Sequence, residues 1–259
     1  SNDHCEAIMA QSGIELVAQA LQGHRSQAKL QEMGCKFFQR LAVRSLGNRT
    51  KVASLGSIEQ IVAAMKEHKK EVQLQIFACA AFRDMSWGSK DNATKIEKLG
   101  GIPLVLKAMM YHSQVLEVQE SGCGALRVMS SDSDDIPLQV AENGGIQLVL
   151  KAMQSYPKAN GLQEDGQAVL SNLAWSSKEN QGDICNLDGV QLVLMSMQAH
   201  PEVAKVQAFS CAALQSLACD SAENRTKIAT LGGVELILEA MRTHSAAANV
   251  QAFACAALQ

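Results

Sequence analysis

The same residues return every 44 positions, and no other feature so narrows what this chain can fold into. Gln31, Gln75, Gln119, Gln163, Gln207 and Gln251 share one phase of that interval. Cys35, Cys79, Cys123, Cys211 and Cys255 share another, with Gln167 as its exception. His24, His68, His112, His200 and His244 form a third phase in which Tyr156 departs. Met65, Met109, Met153, Met197 and Met241 form a fourth, completed by Leu21. A phase held through six copies without an insertion is an internal repeat. Its unit is one supersecondary module that cannot bury its apolar face alone and must stack on its neighbours.

Punctuation inside the unit marks three helices. Ser1, Ser45, Ser89, Ser133, Ser177 and Ser221 share a phase, and serine is a strong N-cap because its hydroxyl accepts from free amides of the first turn. Acids follow in that turn at Asp91, Asp135, Glu179 and Glu223, where they meet the positive end of the helix dipole. The breaks at Leu99, Leu231 and Asp188-Gly189 then predict the end of a short first helix, with glycine supplying a left-handed residue. A second helix runs through stretches such as "VQLVLMSMQAH" and stops near His200 or Tyr156, each followed by proline. The third and longest begins at a Val-Gln or Leu-Gln pair and carries small and aliphatic residues through "AFSCAALQSLA".

This three-helix unit, with its "LGG" break and the phrases "CAALQSLA" and "AVLSNLAW", resembles the armadillo repeat family. The pattern "EAMRTH" followed by "VQ" and "AC" is similar in particular to armadillo regions of large multidomain and protist proteins. The resemblance implies an all-α fold, a right-handed armadillo-type α-solenoid of about six 44-residue repeats forming a single domain over 1–259. The repeats fall at 1–44, 45–88, 89–132, 133–176, 177–220 and 221–259, the last truncated. A solenoid end needs a polar capping unit, and the last third helix has none, so the chain reads as a piece of something longer.

The cysteine and histidine columns do not read as metal chemistry. Zinc needs ligands converging within about 2.0–2.3 Å of one point, whereas equivalent residues of stacked helices stand roughly 8–10 Å apart. Neighbouring cysteines in the column are also too far apart for a disulfide, which needs Cα atoms closer than about 7 Å. Set among Ala, Gly, Leu and Phe, they read as buried, reduced packing residues, which points to a reducing compartment, read as cytoplasmic with nuclear and ciliary as alternatives. Cys185, Cys219 and Cys5 lie outside the column, with Cys219 expected at the surface. The histidines are expected to close the second helix by bonding free carbonyls. The glutamines should reach the connection that precedes the third helix, and the methionines should fill gaps between layers. Gly34, Ala78, Gly122, Gly166, Ser210 and Ala254 should mark the closest helix approach.

Several function classes are excluded. No run of about 18 apolar, uncharged residues is present, so no membrane insertion is expected. A formal net charge of −3 argues against a dedicated nucleic-acid surface. The basic stretch of Arg25, Lys29, Lys36, Arg40, Arg44, Arg49 and Lys51 reads as a solvated end, and "SSDSDD" from Ser130 to Asp135 as a solvated acidic connection. No phosphate-binding loop, dinucleotide fingerprint or HExxH motif occurs. Neither catalytic residues nor a cofactor or metal are expected, and the chain is read as no enzyme.

What remains is binding. In armadillo proteins, the resemblance implies, third helices line a concave groove and an asparagine near the end of that helix holds the main chain of an extended peptide. Asn172, in "VLSNLAW", matches it. The same phase elsewhere holds Arg40, Asp84, Val128 and Ser216. The family's tryptophan one turn earlier is replaced by Lys36, Ala80, Gly124, Ala168 and Ala212, so a regular peptide-clamping ladder is not expected. Tryptophans occur instead three residues later, as Trp87 and Trp175, with Arg83 and Arg127 nearby. The expected partner-binding residues are therefore Arg83, Asp84, Trp87, Arg127, Asn172 and Trp175, a composition enriched in binding hot spots. They would serve a scaffold that takes another protein or an extended peptide. Two alternatives compete. The tryptophans could plug the interface with the next repeat. The chain could also be a structural or regulatory segment of a larger protein or assembly, such as a kinase-linked arm or a filament or axonemal subunit, that uses rims and ends.

Overall fold

The computed structural model describes residues 12–131 and 133–259. Every regular element among the described residues is an α-helix, 17 in all. The chain divides into two compact units between Ser133 and Asp134, in the connection between the third and fourth expected repeats.

In the first unit, Gly13–Gly23 and Ala28–Ala42 are followed by two complete triplets: Leu46–Ser54, Ser57–Glu67 and Val72–Ser86, then Lys90–Lys98, Gly101–Tyr111 and Leu116–Ser130. The third helices pack directly on one another, Ala28–Ala42 against Val72–Ser86 and that helix against Leu116–Ser130. The second helices form a parallel row of contacts of their own. Between the rows lie Phe38, Phe82, Met85, Ile102 and Leu126, all fully or almost fully buried, each such side chain contributing about 1.5–3 kcal/mol by leaving water. In the second unit the triplets are Asp135–Glu142, Gly145–Ser155 and Asn160–Ser176; Lys178–Asn186, Gly189–Ala199 and Ala204–Ala218; and Ala222–Thr230, Gly233–Thr243 and Ala248–Ala257. Its third helices stack in the same way.

The punctuation has identifiable physical causes. The Ser45, Ser89, Ser177 and Ser221 hydroxyls accept from first-turn amides. In the fourth repeat the first helix begins at Asp135, one position later than its equivalents, with Asp134 at the N-cap position. Ser1 lies outside the described residues. Between first and second helices the left-handed position is taken by Gly56, Gly100, Gly144 and Gly232, at φ of 77 to 84°, and by Asp188 at 58°. The glycine after it has a separate role. A Cβ on Gly101 would collide with Ile96, its backbone oxygen included, so this residue lets the second helix start hard against the first. Where Ser57 replaces it, the hydroxyl donates to the Val52 carbonyl at 2.8 Å.

The glutamine column closes the second connection in all six copies. Gln207 donates to the carbonyls of Met197 and His200, each at 2.9 Å. Gln31, Gln75, Gln119, Gln163 and Gln251 repeat the pair on the equivalent carbonyls. The histidines do stand at the C-caps of their second helices, but in four of the five the carbonyl that the ring reaches belongs to the preceding repeat. His68 Nε2 bonds Arg25 O at 2.6 Å and His112 Nε2 bonds Lys69 O at 2.8 Å in the first unit. His200 and His244 bond Pro157 O and Pro201 O, both at 2.7 Å, in the second. An asparagine phase unnoticed in the sequence adds a further latch. Asn48, Asn92, Asn180 and Asn224 donate back to the end of the preceding third helix, on Leu41, Met85, Leu173 and Leu217.

The small-residue column marks a close approach of the third helix to the second helix of its own repeat. A Cβ on Gly122 would stand 2.5 Å from Met109 Cγ, and one on Gly166 2.6 Å from Met153 Sδ. Cys35, Cys79, Cys123 and Cys211 are buried as free thiols, as is Cys185, and Cys219 is exposed. Cys5 lies outside the described residues. Cys255 departs from its column and is exposed, because no further third helix packs over Ala248–Ala257 in the structure. Two other expectations need correction. Ser130 is not solvated but buried at the end of Leu116–Ser130, and Asp132 lies outside the described residues. Within the basic stretch, Arg49 is not simply solvated, since its guanidinium donates to Ala42 O and Trp87 O.

Candidate functional site

In the first unit, four of the six expected binding residues lie on the last turns of adjacent third helices. Trp87 closes Val72–Ser86 as its C-cap and is 52% exposed. From the next third helix, Arg127 holds its guanidinium 5.6 Å from the Trp87 ring centroid, within the range of cation–π attraction. Arg49 donates to the Trp87 carbonyl at 2.7 Å, which fixes the backbone under the indole. Asp84, one turn earlier, is buried and accepts hydrogen bonds on both carboxylate oxygens, one of them from a cation. Arg83 Nε donates to its Oδ1 at 2.9 Å, and Gln39 Nε2, from the preceding third helix, donates to Oδ2 at 2.7 Å. Asp84 therefore positions Arg83 and Gln39 and has little free capacity for a partner, while Trp87 presents an exposed plate with the half-buried Arg127 guanidinium against it.

The second unit carries the other two. Trp175 sits in the last turn of Asn160–Ser176 and is 68% exposed; Asn172 is half-buried one turn before it. Ser171 and the neighbouring third helix's Ser216 share a hydrogen bond of 3.0 Å beside them. At 52% and 68% exposure, both tryptophans keep much of their surface in solvent.

Gln39 was not among the expected binding residues, and Arg49 and Lys36 were expected only as part of a solvated basic end. Lys36 holds its ammonium 4.9 Å from the Phe77 ring centroid. Gln39 shares the phase of Arg83 and Arg127, a signal the sequence does offer. Arg49 shares that of Arg225, which donates in the same way to the Ala218 carbonyl at 2.9 Å. Among the described residues no three His, Cys, Asp or Glu side chains come together as a metal site, and no helix is long and apolar enough to cross a membrane.

Helix triplets stacked by third-helix contacts, with this punctuation, define an armadillo-like repeat fold, and comparison with solved structures bears this out. An engineered protein superposes with a TM-score of 0.80 at 21% identity over 95% of both chains. A designed armadillo repeat protein in complex with a (KR)4 peptide gives 0.75 at 16% identity, over 95% of this chain and 98% of that one. A chain from work on a phosphorylation switch controlling the interaction between cadherin and beta-catenin gives 0.83 at 18% identity, over all of this chain and 47% of that one. In sequence, residues 162–252 match the model of the spinocerebellar ataxia type 10 protein domain. No curated protein matches the chain in sequence.

Proposed function

We propose that the chain is a non-enzymatic protein-interaction scaffold that takes a partner peptide or domain along the groove side of its third helices. Arg83, Trp87 and Arg127 are the contacts in the first unit, with Asp84 holding Arg83; Asn172 and Trp175 are the contacts in the second. The observation that carries the reading is Trp87: a large indole left half in water, with its backbone held by Arg49 and its ring stacked by Arg127. An aromatic already fixed in place loses little conformational freedom on binding, and Trp and Arg dominate interface hot spots. That one structural neighbour holds a peptide and another concerns cadherin and beta-catenin agrees with a binding role. The free buried thiols accord with a reducing, cytoplasmic setting.

Selection of binders to the full chain from a displayed peptide library supplies the test. Trp87→Ala, Arg127→Ala and Trp175→Ala are each expected to weaken the selected peptides by about 1–2 kcal/mol, with helicity unchanged by circular dichroism. Binding indifferent to all three would overturn the groove reading and favour a structural or regulatory segment that uses its rims and ends.

A further inference from the structure

On the second-helix row of the first unit, away from Trp87, a cavity of about 350 Å³ opens between Ser57–Glu67 and Gly101–Tyr111. That volume lies near the lower end of ligand pockets, which run roughly 300–1,000 Å³. Its walls are unlike those of the third-helix surface. Leu104, Met110 and Tyr111 give it an apolar side, and the latter two are 57% and 50% exposed. Lys66, Lys69 and Lys107 supply the charge, with no carboxylate in the lining. None of these lysines is ion-paired with a carboxylate among the described residues. Lys69 stands 5.9 Å from the Tyr111 ring centroid, and its own carbonyl is tied to His112 Nε2 at 2.8 Å. The connection carrying that charge is thus held in place before anything binds.

We propose that this cavity is a second docking site, for an acidic peptide segment that inserts one bulky aliphatic side chain while flanking carboxylates pair with Lys66, Lys69 and Lys107. Three unneutralised cations around an apolar cavity complement an occupant that is anionic outside and apolar in the middle. A small inorganic anion would leave the apolar wall in water. The site is independent of the third-helix surface and stands or falls apart from it.

The probe is a fluorescein-labelled synthetic peptide with one leucine between glutamates, titrated against the full chain by fluorescence anisotropy at low salt. Saturable binding is expected. The double variant Lys69→Glu/Lys107→Glu should weaken it at least about tenfold, and Tyr111→Ala should also weaken it. A peptide with serine in place of leucine, at unchanged charge, should bind at least about fivefold less tightly. Trp87→Ala should have no effect. All these side chains are exposed, so helicity by circular dichroism should be unchanged. Absence of saturable binding, retention of affinity by the double variant, equal binding of the serine peptide, or loss of binding on Trp87→Ala would each overturn the proposal.

Discussion

Replacing Gln207 by leucine isolates what the glutamine column contributes. The residue is 3% exposed, and its amide donates to Met197 O and His200 O at 2.9 Å each. Within the helix, Met197 O would accept from the amide four residues on, but that residue is Pro201, which has no N–H. Gln207 is thus the donor that satisfies this buried carbonyl. His200 O keeps a second donor, Val203 N, at 3.1 Å. Leucine has nearly the same volume, so Gln207→Leu removes the bonds without opening a cavity. Stranding the Met197 carbonyl costs about 1–3 kcal/mol, and loss of the second bond about 0.5–1.5 kcal/mol. Burial of hydrocarbon in place of an amide offsets roughly 1 kcal/mol. The net expectation is a destabilisation of about 1–3 kcal/mol, read as a lower urea midpoint at unchanged slope. Gln207→Glu adds a check of sign. A carboxylate facing two carbonyls is disfavoured when charged, so the introduced group's folded pKa is raised above its unfolded value. Stability should then be highest below the unfolded carboxyl pKa and fall as pH rises through the folded one. An unfolding free energy for Gln207→Leu within about 0.5 kcal/mol of that of the parent chain, or a Gln207→Glu variant whose stability relative to the parent does not recover at low pH, would refute the reasoning.

Gly122→Leu should overpack the approach to Met109, where even a Cβ would come within 2.5 Å of Cγ, at a cost of about 1–3 kcal/mol; an unchanged thermal melt would mean that the third helix does not touch the second there. Burial pushes the thiols of Cys35, Cys79 and Cys211 from 9.0 up to about 12. A thiol reagent should therefore modify exposed Cys219 and Cys255 in the native chain and reach these three only after denaturant is added, and fast native labelling of Cys79 would contradict their burial. Because their folded pKa values lie above the unfolded ones, the associated stability is intact below about pH 9 and is lost as pH rises towards 12, which alkaline urea titrations would detect.

The helices were legible because their signals are local. Ser177 before its helix, Asp188-Gly189 at a break and Gln207 just inside a third helix act on backbone groups within about ten positions of themselves. Such contacts follow from helix geometry alone. The candidate site was legible only as a set of phases. That Trp87 and Arg127 belong on neighbouring third helices could be counted along the chain; that the guanidinium lies over the indole, or that Gln39 and Arg83 both donate to the Asp84 carboxylate, could not. The helix after Ser133 starts one residue later than its equivalents, a shift that the serine phase did not reveal, and Cys255 failed as a core residue because burial of that column requires a next helix above it.

The sequence by itself determined the period, the three-helix unit and the backbone latches within each repeat, since all of these depend on residues near one another along the chain. Tertiary structure alone decided that His112 reaches the carbonyl of Lys69, that Trp87 and Trp175 remain in water, and that three lysines surround an apolar cavity on the second-helix row. A 44-residue interval says which side chains are equivalent. Only the distance and rotation between stacked repeats says which of them meet.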